Sequence, residues 1–205
     1  MVLIAKKQEK SYKGWIIAGV ILLVLIILGS WVMGSYNSLV RMDEGVNQKW
    51  ANVQSAYQRR ADLIPNLVET VKGYRDYEAN TLIQITELRS EAGQAKVSID
   101  SATSPAELQA AMGNMNSVLS RLLVIVENYP DLKANENFLS LQDELAGTEN
   151  RIKVERDNYN AAVRDYNILA RRFPTSIIAR WFGFEKKEMF AADEGSQNVV
   201  KVDFS

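Results

Sequence analysis

The sequence of 205 residues contains no cysteine and no histidine. Without Cys it can form no disulfide, thiolate nucleophile or thiolate metal site. Without His it has no imidazole to move a proton near neutral pH or to bind zinc. Proline is scarce, at four residues, and glycine numbers eleven, so long stretches carry nothing that would break a helix. Neither sign of charge is in excess, because 24 Lys and Arg face 25 Asp and Glu for a net −1. That balance lacks the basic stripe with which a protein neutralises nucleic-acid phosphates.

What is present begins with one long apolar run. From Trp15 to Met33, "WIIAGVILLVLIILGSWVM" contains no charged residue and a single Ser. As a helix this run spans roughly 29 Å, close to the hydrocarbon thickness of a bilayer. Trp15 and Trp31 stand near its ends, where amphipathic rings favour the membrane interface. A cleavable signal peptide is the rival reading, and Val32 and Gly34 would satisfy a loose cleavage rule. The run is longer than a signal peptide needs, and helical patterning resumes directly after it, so a retained anchor is expected. Lys6, Lys7, Lys10 and Lys13 precede the span, whereas Arg41 and Lys49 are the basic residues soon after it. The positive-inside rule then places the N-terminus in the cytoplasm and the body outside it, in the periplasm of a two-membrane bacterium.

The body is patterned as amphipathic helix. Leu39, Met42, Val46, Trp50, Val53, Tyr57, Ala61, Ile64, Val68 and Val71 recur at steps of three and four, which predicts one helix face turned to a core. The seam passes through Pro65 without losing phase, so Pro65 is expected to kink a continuing helix rather than end it. Lys72 and Gly73 mark the end. A second helix is predicted from near Asp76 to Glu91, with Leu82, Ile85 and Leu88 or their neighbours inward, and "GQAKVSIDSATS" is expected to break it. Ser104, Pro105 and Glu107 then form a helix start. Leu108, Met112, Met115, Leu119, Leu122, Val126 and Tyr129 make its seam, which Pro130 stops. The last seam runs through Phe138, Leu141, Leu145, Thr148, Ile152, Glu155, Tyr159, Ala162, Tyr166, Leu169 and Phe173 to Pro174, a 3.5-residue repeat that implies supercoiled packing.

The predicted fold is therefore all-α, a single transmembrane helix continuing into an antiparallel up-and-down four-helix bundle. Its divisions are a short N-terminal tail (1–14), the span (15–33), the bundle (34–184) and a C-terminal tail (185–205). Up-and-down topology returns the fourth helix toward the membrane. The apolar segment Ser176 to Phe184 should then lie at the bilayer end, as a cap, an interfacial contact or a subunit contact. The final "DEGSQNVVKVDFS" fits either a strand-like extension or a disordered tail.

These residues carry a resemblance. The segments "YNSLVRMDEGVNQKWANVQSAYQRRADLIPNLVETVKGY" and "RIKVERDNYNAAVRDYNILARRFPTSIIARWFGF", behind one span, resemble the LemA family. The likeness rests on Arg59, Arg60, Asp62, Pro65, Asn66, Glu69 and Gly73, and later on Tyr159, Asn160, Tyr166, Asn167, Phe173, Pro174, Phe182, Gly183 and Phe184. It implies an N-terminally anchored bacterial membrane protein with a four-helix bundle, and it implies no reaction. It also implies an external N-terminus, against which the four lysines argue.

Catalytic chemistry finds little support. Glu69, Glu78, Glu87, Glu149 and Glu155 are candidates for a carboxylate cluster, but di-metal bundles pair such glutamates with His on facing helices. No loop has the oxygen density of a Ca²⁺ site, no motif sets a base beside Ser or Thr, and no Gly-rich phosphate cradle occurs. No catalytic, metal or cofactor residue, and no small-molecule substrate, is assigned. Glu155 lies on a seam, where an unpaired charge is costly, and an ion pair with Arg59, Arg60 or Arg89 is expected, Arg60 first among them. Tyr159-Asn160 and Tyr166-Asn167, one heptad apart, are expected to bury their rings and hydrogen-bond across helices. Ala51, Asn52, Gln54 and Ala56 are read as outer-face residues that would permit self-association. The expected function is a membrane-tethered scaffold or interaction module, with the bilayer, a second copy or another envelope protein as partners. A signalling subunit is the alternative, although only the residues before Trp15 would form its cytoplasmic output. A carboxylate-dependent hydrolase is the third.

Overall fold

A computed structural model describes residues 12–73 and 78–191. Lys6, Lys7 and Lys10, the helix start near Asp76 and the tail from Asp193 onward lie outside the described residues. Among the described residues six helices follow in order: α1 (Tyr12–Lys72), α2 (Ala79–Ser101), α3 (Pro105–Glu127), α4 (Pro130–Lys133), α5 (Glu136–Arg171) and α6 (Thr175–Trp181). No strand occurs among the described residues.

α1 is continuous over 61 residues, so the apolar run and the first seam share one hydrogen-bond ladder. It is long and apolar enough in its N-terminal part to cross a membrane, and the side chains from Trp15 to Leu28 stand exposed. The helix runs through Pro65 without interruption. Proline there leaves the Ala61 carbonyl without its usual helical donor. Gly73 donates to the Glu69 carbonyl at 3.0 Å, closing the last turn. The predicted seam is buried from Leu39 to Val71, except that Met42 is exposed and Trp50 half-buried. Ala56, Leu63 and Leu67 are buried as well, because α1 packs against α5 on one side and against α2 and α3 on another. Ala56 is thus a core residue and not part of an outer face. Gln54, half-buried, reaches the Ala102 carbonyl at 3.3 Å.

Side-chain pairs fix the directions. Asp62 meets Lys96 and, seven residues further along α1, Glu69 meets Arg89, seven residues back along α2. Trp50 faces Tyr159, and ten residues on Arg60 faces Glu149, ten residues back along α5. Glu91 of α2 meets Arg121 of α3, and Thr81 of α2 meets Tyr129, just beyond the end of α3. Each of these neighbours is antiparallel.

α2 corrects one expectation. It does not break at "GQAKVSIDSATS" but continues through Gly93 to Ser101. The run hides its period because Ala92, Ala95 and Ile99 supply the buried face, and a small-residue seam looks like a turn to a reader of hydrophobic bulk. Leu82 is exposed rather than inward. Similarly, Phe173 is 77% exposed, because α5 ends at Arg171 and the extended Arg172 that follows breaks the helical phase.

The start of α3 matches its sequence signature. Ser104 Oγ accepts from the Glu107 N–H at 3.3 Å, and Glu107 Oε2 accepts from the N–H and hydroxyl of Thr103 at 2.8 and 3.0 Å. These bonds, led by the Thr103 N–H, hold the Glu107 carboxyl below its ordinary pKa. Replacing Ser104 with Ala should cost about 1 kcal/mol, measurable as a shift in denaturation midpoint. A depressed folded-state pKa stabilises above the unfolded value, so the Glu107 contribution should fade as pH falls below about 4 and be absent from Glu107→Gln.

Candidate functional site

The charged residues of the "RRADLIPNLVET" block serve as ties between helices. Arg59 reaches Glu144 of α5 at 2.7 Å, Asp62 accepts from Lys96 of α2 at 2.8 Å, and Glu69 pairs with Arg89 of α2. The Asp62 bond, reinforced by Asp100, raises the Lys96 pKa. Asn66 is exposed, and its carbonyl accepts from the Thr70 hydroxyl at 3.0 Å. Arg60 is the exception in depth, at 7% exposed. Its guanidinium reaches Glu149 and the Leu145 carbonyl of α5, the latter at 3.5 Å, and Asn116 of α3 at 3.2 Å. Its Nε is buried without a hydrogen-bond partner.

Arg60 therefore does not pair with Glu155. In the antiparallel register that carboxylate lies nearly two helical turns too far along α5. Glu155 turns instead toward Arg151 at 3.8 Å and Asn158 at 3.5 Å on its own helix. Among the described residues, no three acidic side chains converge as metal ligands would.

The second motif forms a clamp that sequence reasoning missed. Residues 185–191 run extended along α5, antiparallel to it. Asn167 donates to the Lys187 carbonyl and accepts from the Lys187 N–H, both at 3.0 Å. Asn160 does the same to Phe190, at 3.2 and 2.9 Å. Tyr166 and Tyr159 donate their hydroxyls to the carbonyls of Glu185 and Glu188 at 2.9 and 3.0 Å. Each Tyr-Asn pair thus reads one backbone triplet. The spacing is commensurate: one heptad of helix advances ~10.5 Å, and three extended residues advance ~10 Å.

An aromatic nest closes the upper end of the clamp. Phe190 is buried between Trp50, Tyr57 and Tyr159, with ring centroids 6.0, 6.2 and 5.5 Å away. Arg156 covers the Phe190 ring at 5.3 Å and donates to the Ala191 carbonyl at 2.8 Å. Lower down, Lys187 pairs with Asp43 at 2.7 Å. Burial, followed by the charge of Glu188, raises the Tyr159 pKa; burial, followed by Asp43 and Glu185, raises that of Tyr166.

At the lowest level, "FGF" ends α6. Gly183 adopts φ +76°, the left-handed conformation that glycine tolerates. Phe184 then donates to the Ala179 carbonyl at 2.9 Å, the six-to-one bond of a Schellman turn. Phe182 and Phe184 both meet Tyr36 edge-on, at 4.9 and 5.8 Å. Beside this turn, a groove of about 890 Å³ is lined by Arg164, Arg171, Arg172, Lys186 and Lys187, among others, with Glu188 its acidic member.

Two predictions follow from the clamp. Asn160→Ala would strand the buried Phe190 N–H and should weaken the segment by about 2 kcal/mol. Combined with Asn167→Ala, it should expose 185–191 to limited proteolysis while leaving helicity by circular dichroism intact. The raised tyrosine pKa values favour the protonated clamp, so its stability is complete below the unfolded tyrosine value and falls above pH ~10. Proteolytic release should follow that pH rise, and Tyr159→Phe plus Tyr166→Phe should abolish the dependence.

The LemA-family model matches residues 49–204, a range that includes both motifs and the clamped segment. Protein LemA of Metamycoplasma hominis is 30% identical over 149 residues, covering 73% of this chain and 62% of that protein. Magnetosome protein MamQ 2 of Paramagnetospirillum magneticum is 28% identical over 174 residues, covering 76% and 64%. Magnetosome protein MamQ of Magnetospirillum gryphiswaldense is 26% identical over 188 residues, covering 82% and 69%. The chain spans less than two thirds of the length of the first two.

Proposed function

The chain belongs to the LemA family, and on that premise we propose that it is a non-catalytic, membrane-anchored interaction module of the bacterial envelope. The carrying observation is the use made of the motif's polar groups. Arg59, Arg60, Asp62 and Glu69 tie helices together, and Asn160 and Asn167 hold the chain's own backbone. Such groups stiffen a surface rather than converge on a substrate. The names Protein LemA and Magnetosome protein MamQ state no reaction. Outer faces carry isolated apolar side chains, including Val97, Val124, Leu139 and Val154, that suit contact with a second copy or another envelope protein. The lysine flank supports a span in the cytoplasmic membrane with the N-terminus inside.

One feature favours a second reading, a signalling subunit. Span and body share the unbroken α1, so a displacement in the body would reach the membrane without a joint.

Purification from native membranes under mild conditions should yield a species larger than one chain; a strictly monomeric, partnerless protein would contradict the module. Orientation is testable because the chain lacks Cys. Ser101→Cys, at an exposed site, should react with an impermeant thiol reagent in outer-permeabilised cells, and protection there would place the body in the cytoplasm.

A further inference from the structure

α1 sets the height of everything packed beside it. Tyr36, which touches Phe182 at 4.9 Å, lies three residues beyond Met33 and so ~4.5 Å above the apolar run. The headgroup layer on each side of a bilayer is roughly 5–7 Å deep, and Phe182 falls within it. The register that pairs Trp50 with Tyr159 sets Arg171 level with Ser38, ~7.5 Å above Met33.

The side chains displayed at that height suit a lipid surface. Phe173 and Trp181 are 77% and 82% exposed, and Ile177 and Phe182 are about half exposed. Two bulky aromatics left so bare at the end of a packed body are unusual unless something covers them. Arg171, Arg172, Arg180 and Lys186 are exposed beside them and have no carboxylate partner among the described residues. Lys187 and Arg164, by contrast, are neutralised by Asp43 and Asp165. Aromatic rings with a polar edge prefer the interface, and guanidinium groups grip phosphate.

We propose that this membrane-proximal end docks onto the leaflet from which α1 emerges and is selective for anionic phospholipid. Phe173, Trp181 and Phe182 enter the headgroup layer, while Arg171, Arg172 and Arg180 bind lipid phosphates. The occupant is the bilayer because α1 already holds these residues against it, and because the unpaired charge is net positive, with Arg171, Arg172, Arg180 and Lys186 set against Glu185 and Glu188. Docking also fixes the tilt of the body on its single span.

The test uses the full chain in nanodiscs. A single Ile177→Cys substitution reports on the apolar patch through its alkylation rate by an impermeant reagent. Alkylation should slow when phosphatidylglycerol replaces part of a phosphatidylcholine bilayer. It should recover about 5-fold for each arginine changed to Gln at 171, 172 and 180, and it should recover with added salt. Arg→Lys at all three should keep most of the protection, which separates lost charge from lost fold. Equal rates in neutral and anionic discs would overturn the proposal. So would protection confined to discs holding two copies, because the patch would then be a contact between chains.

Discussion

The unbroken backbone of α1 is the constraint on which the rest depends. One hydrogen-bonded ladder carries the apolar run and becomes the helix against which α2, α3, α5 and α6 pack. A flexible joint after Met33 would have left the body free to take any height and attitude. With helix instead, each residue of the body has a defined distance from the apolar run. The aromatic and basic side chains around α6 acquire meaning only through that distance.

α1 must also satisfy two packing directions at once. α5 covers one face, and the antiparallel pair α2 and α3 covers another, which is why its buried surface is wider than a single stripe. The "RRADLIPNLVET" block sits where those directions meet. Its charges point out along the edges of the apolar face and meet opposite charges on α2 and α5. Most of these pairs are solvent-exposed, so they contribute modestly to stability. Their greater effect is on register, because a one-turn slip of α2 or α5 would separate every pair together. Arg60 alone is buried, and its contacts to α3 and α5 bridge two helices whose closest common neighbour is α1.

The C-terminal segment shows a different economy. A helix and an extended chain have unrelated repeats, yet seven residues of one and three of the other cover nearly the same length. The two Tyr-Asn pairs exploit that coincidence. Because each asparagine completes both backbone bonds of one residue, segment 185–191 gains strand-like pairing without a sheet. Phe190 then adds the apolar anchor that backbone bonds lack. This segment runs from the α6 end up the side of the body, and its Phe190 packs against Trp50 and Tyr57.

Local spacing and capping chemistry determined the all-helical class, the long continuation through Pro65, the start of α3 at Ser104 and the apolar run, but not the short α4 and α6. Periodicity failed at Ala92, Ala95 and Ile99, where small residues do the packing, and at Phe173, where the helix stops two residues before the pattern does. The significance of the motif residues was legible only as repetition. Which carboxylate meets Arg60 depends on the stagger of α1 against α5, and no local pattern encodes stagger. What Asn160 and Asn167 hold was hidden for a stronger reason: their partners are backbone groups, identical at every residue. Tertiary structure decided both, together with the height of Trp181 above the apolar run, because each is a relation between segments far apart in the chain and close in space.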